Sequence, residues 1–70
     1  DGLINFQKSA KEVYNFVRAL TKPYPGAFTF IQGQKLMIWK CQVAEQIQND
    51  GVYILCGDQN YIKILDAETV

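Results

Sequence analysis

The sequence predicts an α+β fold, mainly β, with one N-terminal helix followed by a four-stranded antiparallel sheet. Two observations carry this. A capping box and a helical apolar stripe occupy residues 9–20, and four runs rich in β-branched and aromatic residues follow, separated by turn signals. A chain of 70 residues buries only roughly 60% of its unfolded surface, so the core of this one small domain is thin.

Taken in order, Asp1-Gly2 marks a turn, and Leu3-Ile4-Asn5-Phe6 forms an extended lead-in. Ser9 and Glu12 have the spacing of a capping box, in which the hydroxyl accepts a free first-turn amide and the carboxylate reaches back. A helix therefore starts at Ser9. Val13, Phe16, Val17 and Leu20 fall at i, i+3, i+4 and i+7, a single apolar stripe, with Lys11, Asn15 and Arg18 off it and Phe6 close to its entry. Pro23 biases Lys22 away from helical angles and ends the helix near Leu20 or Thr21.

The run Lys22-Pro23-Tyr24-Pro25-Gly26 is a rigid joint: two prolines fix their own angles and Gly26 lets the chain reverse. Residues 27–31 form a strand, Gln32-Gly33 a turn, and residues 35–43 the longest strand, giving a hairpin. In that strand Met37, Trp39, Cys41 and Val43 share one face, and Leu36 and Ile38 begin the other. The polar stretch 44–50 is a loop closed by Asn49-Asp50-Gly51. Residues 52–56 and 61–65 are the last strands, the latter with Tyr61, Lys63 and Leu65 on one face, joined by the loop 57–60. Strand order is expected to follow chain order, as a meander.

Composition narrows function. Apolar residues at 49% and aromatics at 13% exclude a disordered segment. A formal net charge of zero offers no long-range field for phosphate backbones, and with this much apolar surface it points to a face covered by a partner or by more of the same polypeptide. No signal-like leader and no long apolar run appears, so neither a secretory leader nor a membrane span is expected. The chain contains no histidine. That removes the commonest general base, and with Cys41 and Cys56 far apart in sequence it argues against a zinc site. The two cysteines are expected to be buried reduced thiols of a cytoplasmic protein, with a disulfide between neighbouring strands as the alternative.

No catalytic constellation emerges. Asp50, Asp58 and Asp66 sit at turns or strand ends, where carboxylates usually cap backbone or face water. Trp39 with Lys40 and Lys35 suggests an aromatic and basic platform for single-stranded nucleic acid, against the plainer expectation of a core tryptophan with solvated lysines. Tyr14, Asn15 and Arg18 lie within one helical turn, where Arg18 can hold a phosphate or carboxylate or simply serve as a surface ion-pair partner.

The marks "DGLINF", "SAKEVYNFVRAL", "PYPGAF", "GQKLMIWK" and "CGDQNYIKIL" follow in order along nearly the whole chain. Together they resemble the C-terminal region of folate-dependent formyltransferases, the family of methionyl-tRNA formyltransferase and the sugar-nucleotide N-formyltransferases. The resemblance implies that residues 1–26 close the catalytic domain and that residues 27–70 form a small OB-like C-terminal domain. Here that domain is a truncated OB-like sheet, because the family's fuller C-terminal domains commonly carry a further strand. An open sheet leaves an unpaired edge, which implies a possible homodimer.

By the same resemblance, the asparagine, histidine and aspartate of catalysis, and the site of 10-formyltetrahydrofolate, belong to an upstream Rossmann-like domain. The chain itself then holds no catalytic residue, cofactor or metal. Its role is acceptor binding or dimerisation, with Tyr14, Asn15, Arg18 and Tyr24 as the candidate wall of the acceptor site. The joint "TKPYPGAF" is closer to the sugar-modifying branch, and zero net charge disfavours tRNA, so the implied acceptor is an amino-sugar nucleotide. A tRNA-binding domain and a free-standing OB-like binding module are the alternatives.

Overall fold

The structure, a computed structural model, describes residues 2–21 and 25–70. Helix α1 spans Ala10–Ala19, and strands β1 Ala27–Ile31, β2 Gln34–Ala44, β3 Val52–Leu55 and β4 Tyr61–Thr69 form one curled antiparallel sheet, an open half-barrel. This is the truncated OB-like architecture expected from the sequence.

The helix begins as its sequence requires. Ser9 is the N-cap, its hydroxyl accepting the Glu12 amide at 3.1 Å while the Glu12 carboxylate accepts the Ser9 amide at 3.1 Å. Val13 and Val17 of the stripe are buried, Phe16 and Leu20 partly so, and Ala10 adds a fully buried residue one turn earlier. Phe6 packs against the same cluster. Leu20 is the C-cap; the Lys22-Pro23-Tyr24 part of the joint lies outside the described residues.

Strand order is β1-β2-β4-β3, which corrects the expected meander. The physical reason is length and reach. β2, at 11 residues, pairs along almost all of β4, at 9 residues, whereas the four-residue β3 can supply only a short edge. The polar segment 45–51, which makes no strand, carries the chain past the position beside β2. β4 also runs four residues beyond its expected end.

The second correction concerns the faces of β2. Between Ile38 and Cys41 the β2–β4 register shifts twice, with Ile38 opposite Ala67, Lys40 opposite Asp66 and Cys41 opposite Ile64. Trp39 on β2 and Leu65 on β4 are the residues left over, a bulge on each strand. The shift flips the strand's phase. Ile38 and Cys41, expected on opposite faces, both join the core with Ile4, Val13, Val17, Ala27, Cys56 and Ile62. Trp39 is half-buried and outside that cluster, which corrects the expectation of a core tryptophan. Its Nε1–H donates to the Glu68 carboxylate at 2.8 Å. Across from it Gly26, at φ +90°, leaves room for Met37 and the Trp39 ring, since a Cβ there would lie 2.5 Å from Met37 Cε and 2.7 Å from Trp39 Cη2.

The lead-in is extended as expected. Leu3 forms a parallel bridge to Phe28, with the Ile4 amide donating to the Phe28 carbonyl at 2.9 Å and the Phe28 amide to the Gly2 carbonyl at 2.8 Å. This segment lies along the free side of β1.

Candidate functional site

Packing α1 onto β2 and β4 buries Val17 and Cys41 and leaves a groove beside them. From the helix side, Tyr14, Arg18 and Thr21 line it; from the sheet, Trp39, Lys40 and Gln42, with Leu65 at the edge. The bulge is what exposes so many consecutive β2 residues to one space, because regular pleating would send Trp39 and Lys40 to opposite sides. The groove's volume, about 590 Å³, is in the range that small-molecule sites occupy.

Two links set its geometry. The Thr21 hydroxyl donates to the Trp39 carbonyl at 3.0 Å, tying the helix exit to the bulge. The Arg18 guanidinium lies over the Tyr14 ring, 5.4 Å from its centroid. Arg18 and Lys40 are both exposed at the groove, and no carboxylate lines it. Among the described residues the ion pair within 4 Å is Lys63–Asp50, on a different part of the sheet. Cys41 at the floor is chemically quiet: burial first, and the nearby Cys56 thiol second, push its pKa up to about 11.

The structure therefore brings together two of the four candidate site residues. Tyr14 and Arg18, one helical turn apart, share the groove. Asn15 instead faces another depression, of about 420 Å³, with Lys8, Glu12 and Phe16. Tyr24 lies outside the described residues. Lys40, Trp39, Gln42 and Thr21 were missed as companions of Arg18: Thr21 lies at the helix exit three residues after it, and the bulge brings the three β2 residues there. Lys35, expected beside Trp39 and Lys40 as a basic platform, is elsewhere, its ammonium 4.4 Å from the Phe28 ring centroid.

Other chemistry is sparse. Both cysteines are free and buried, so the disulfide alternative is not formed. Among the described residues no group of three potential metal ligands assembles. Among the described residues no helix is long and apolar enough to cross a membrane. A further depression of about 410 Å³, lined by Ile31, Leu36, Val52, Ile64 and Ala67, is the part of the curled face that α1 does not cover.

A short helix laid on an open half-barrel, with Arg18 and Lys40 at the groove on their seam, defines a small, mainly β domain. Its sequence matches the family "Formyl transferase, C-terminal domain" over residues 1–69, and the chain belongs to that family. It is 50% identical, over 97% of its length, to the bifunctional polymyxin resistance protein ArnA of Wigglesworthia glossinidia brevipalpis. The chain spans 12% of that relative's length.

Proposed function

We propose that this chain is the accessory C-terminal module of a 10-formyltetrahydrofolate-dependent formyltransferase acting on an amino-sugar nucleotide. In this reading an upstream Rossmann-like domain holds the formyl donor and performs the transfer, and the present chain supplies one wall of the acceptor site. Membership of the formyltransferase C-terminal family carries the reading. The groove supports the wall: Tyr14 and Arg18 offer an aromatic surface and a fixed cation suited to a phosphorylated acceptor. The zero net charge and the sugar-branch character of the joint favour a sugar nucleotide over tRNA.

The test joins the chain to its upstream catalytic domain and measures formyl transfer from 10-formyltetrahydrofolate to UDP-linked amino sugars and to methionyl-tRNA. Transfer to an amino sugar, with a raised KM in Arg18→Gln, is the expected result. Transfer to methionyl-tRNA alone, or to neither acceptor, would overturn the reading. Sedimentation across a concentration series tests whether the module also dimerises the enzyme.

A further inference from the structure

We propose that the Asp50-Gly51 pair at the entry to β3 is a latent isomerisation site, and that Lys63 and Tyr53 clamp the Asp50 side chain so that the folded domain keeps it intact. The inference stands on the chemistry of these residues alone and is independent of the acceptor of the parent enzyme.

The first observation is the pair itself. Aspartate followed by glycine is prone to cyclise, because glycine has no Cβ to shield its amide or restrict its backbone angles. Asp50 and Gly51 are both exposed, in the turn that leads into Val52. The step is an intramolecular condensation. The Gly51 amide nitrogen attacks Cγ of Asp50, a C–N bond forms, and the carboxyl hydroxyl leaves with the amide proton as water, giving a succinimide. Water then adds back. Opening at the backbone carbonyl breaks its bond to nitrogen and leaves isoaspartate, whose main chain runs through Cβ and Cγ, whereas opening at Cγ restores aspartate. Nothing is oxidised or reduced, and water is the co-reactant.

The second observation is that both carboxylate oxygens are engaged. Oδ2 accepts from Lys63 Nζ at 2.8 Å, and Oδ1 accepts from the Tyr53 hydroxyl. Lys63 and Tyr53 lie directly opposite each other in the β3–β4 ladder, so the clamp is mounted on paired strands and not on the turn it restrains. Cyclisation needs a neutral carboxyl, which can lose water, and a Cγ free to swing onto the following amide. The clamp opposes both. It fixes the side chain, and it favours the ionised form: the Asp50 pKa is lowered, by the Lys63 bond first and the Tyr53 bond second.

The third observation is cover. A Cβ on Gly51 would lie 3.2 Å from Lys63 Cε, so the same lysine that pins the carboxylate packs its stem against the glycine. Isoaspartate here would lengthen the backbone before β3 and move the carboxylate onto Cα. The Lys63 pair and the Val52–Ile64 register would then be lost together.

The chain is incubated in warm neutral buffer, folded and in urea, and isoaspartate at position 50 is followed by peptide mapping, as a peptide of unchanged mass and shifted elution. Mapping separates it from the other Asp-Gly pair, Asp1-Gly2. The expected result is ready isomerisation in urea and little in the folded protein. Lys63→Gln is expected to speed the folded-state reaction about tenfold, the change in neutral carboxyl that one pKa unit brings. Tyr53→Phe speeds it by less, Lys63→Arg restores the protection, and Lys40→Gln, far from the clamp, changes nothing. Circular dichroism and amide exchange of β3 confirm that the variants are folded; should Lys63→Gln unpair β3, Tyr53→Phe, which removes only a hydroxyl, carries the test. Isomerisation at Asp50 as fast in the folded wild type as in urea, none in urea, or folded Lys63→Gln and Tyr53→Phe proteins that both match wild type would overturn the proposal.

Discussion

The Asp58 carboxylate, in the loop between β3 and β4, accepts a hydrogen bond from the Ala10 amide at 3.1 Å, 48 residues away in sequence. The first amides of a helix have no partner within it. Ser9 satisfies one of them at Glu12, and Asp58 satisfies Ala10 from across the fold. The same loop donates from the Gly57 amide to the Lys8 carbonyl at 2.9 Å, so the distal hairpin is latched to the start of α1. A negative charge at this end also complements the helix dipole.

Removing that latch should loosen the helix from the sheet edge. Asp58→Ala is expected to lower the melting temperature, and Asp58→Asn, which keeps an acceptor oxygen without the charge, to lower it by less. Thermal unfolding followed by circular dichroism checks the order. Equal melting temperatures in wild type and Asp58→Ala would show that the bond contributes nothing.

Acid should undo the same contacts. Desolvation where the loop meets the helix start pushes the Asp58 pKa up, but the hydrogen bonds from the Ala10 and Asn60 amides outweigh it, and the net shift is downward. Glu12 is lowered mainly by its bond from the Ser9 amide, and Asp50 mainly by the Lys63 ammonium at 2.8 Å. A carboxyl whose folded pKa is depressed stabilises the fold fully above its unfolded value, near 4, and that contribution is lost as pH falls through the lower folded value. Stability from these groups is therefore expected to stay level from pH 7 to about 5 and to fall below about 4. Asp58→Ala should show a shallower acid limb, measured by urea unfolding at successive pH values.

The residue after Cys56 must be glycine for the latch to close. A Cβ on Gly57 would lie 1.7 Å from the Gln7 carbonyl oxygen, a backbone atom that cannot move aside. Gly57→Ala is expected to cost about 1–3 kcal/mol, the range for overpacking a well-packed site. Gly33, at φ +80° in open space, makes the contrast: alanine there meets no atom and carries only the left-handed strain of about 1–2 kcal/mol. Asparagine at position 33, which tolerates that conformation, should recover most of the loss. Denaturant unfolding of the three variants checks the pattern, and a Gly57→Ala protein as stable as wild type would contradict the close approach.

The part of this fold legible in the sequence is the part set by local chemistry. Ser9 with Glu12, and Val13 with Val17, dictate the helix because cap and stripe are satisfied within a few residues. Turn residues located the strands for the same reason. Strand order was not legible, because it depends on β4 matching the length of β2, a relation between segments far apart. The faces around Trp39 failed for a sharper reason: a bulge is a mismatch between two strands, and one strand's alternation cannot reveal it. The candidate site inherits both outcomes. Tyr14 and Arg18 share a groove because helical spacing put them on one side. Lys40 joins them only through the bulge, and Asn15, one position from Tyr14, turns to another surface.

Ile62 tests the thin core. It is fully buried near the start of β4, in the cluster that includes Ile38, Val13 and Val17. Ile62→Ala is expected to cost about 2–5 kcal/mol and Ile62→Val about 0.5–1.5 kcal/mol, through lost burial and the cavity left behind. In so small a domain the larger loss approaches the whole stability. Urea midpoints resolve the series, and an Ile62→Ala protein within about 0.5 kcal/mol of wild type would mean that the site collapses freely.

Cys41 gives the alkaline counterpart to the acid prediction. Burial holds its pKa at about 11, whereas an unfolded cysteine ionises near 8.5. The thiolate is the reactive form, so at pH 8 the folded thiol should react with a disulfide reagent roughly 200-fold more slowly than the unfolded one, from the ratio of thiolate fractions. The same shift has a stability consequence. A raised folded pKa leaves stability intact below the unfolded value, and it declines as pH climbs from about 8.5 toward 11, because the unfolded chain releases its proton first. Cys41→Ala should flatten that decline, while Cys56, also raised by burial, keeps a smaller slope. Thiol labelling in native and denaturing buffer, with unfolding curves at pH 8 and 10, tests both parts. Equal labelling rates for the native and denatured protein would show that the thiol at the groove's floor is open to solvent.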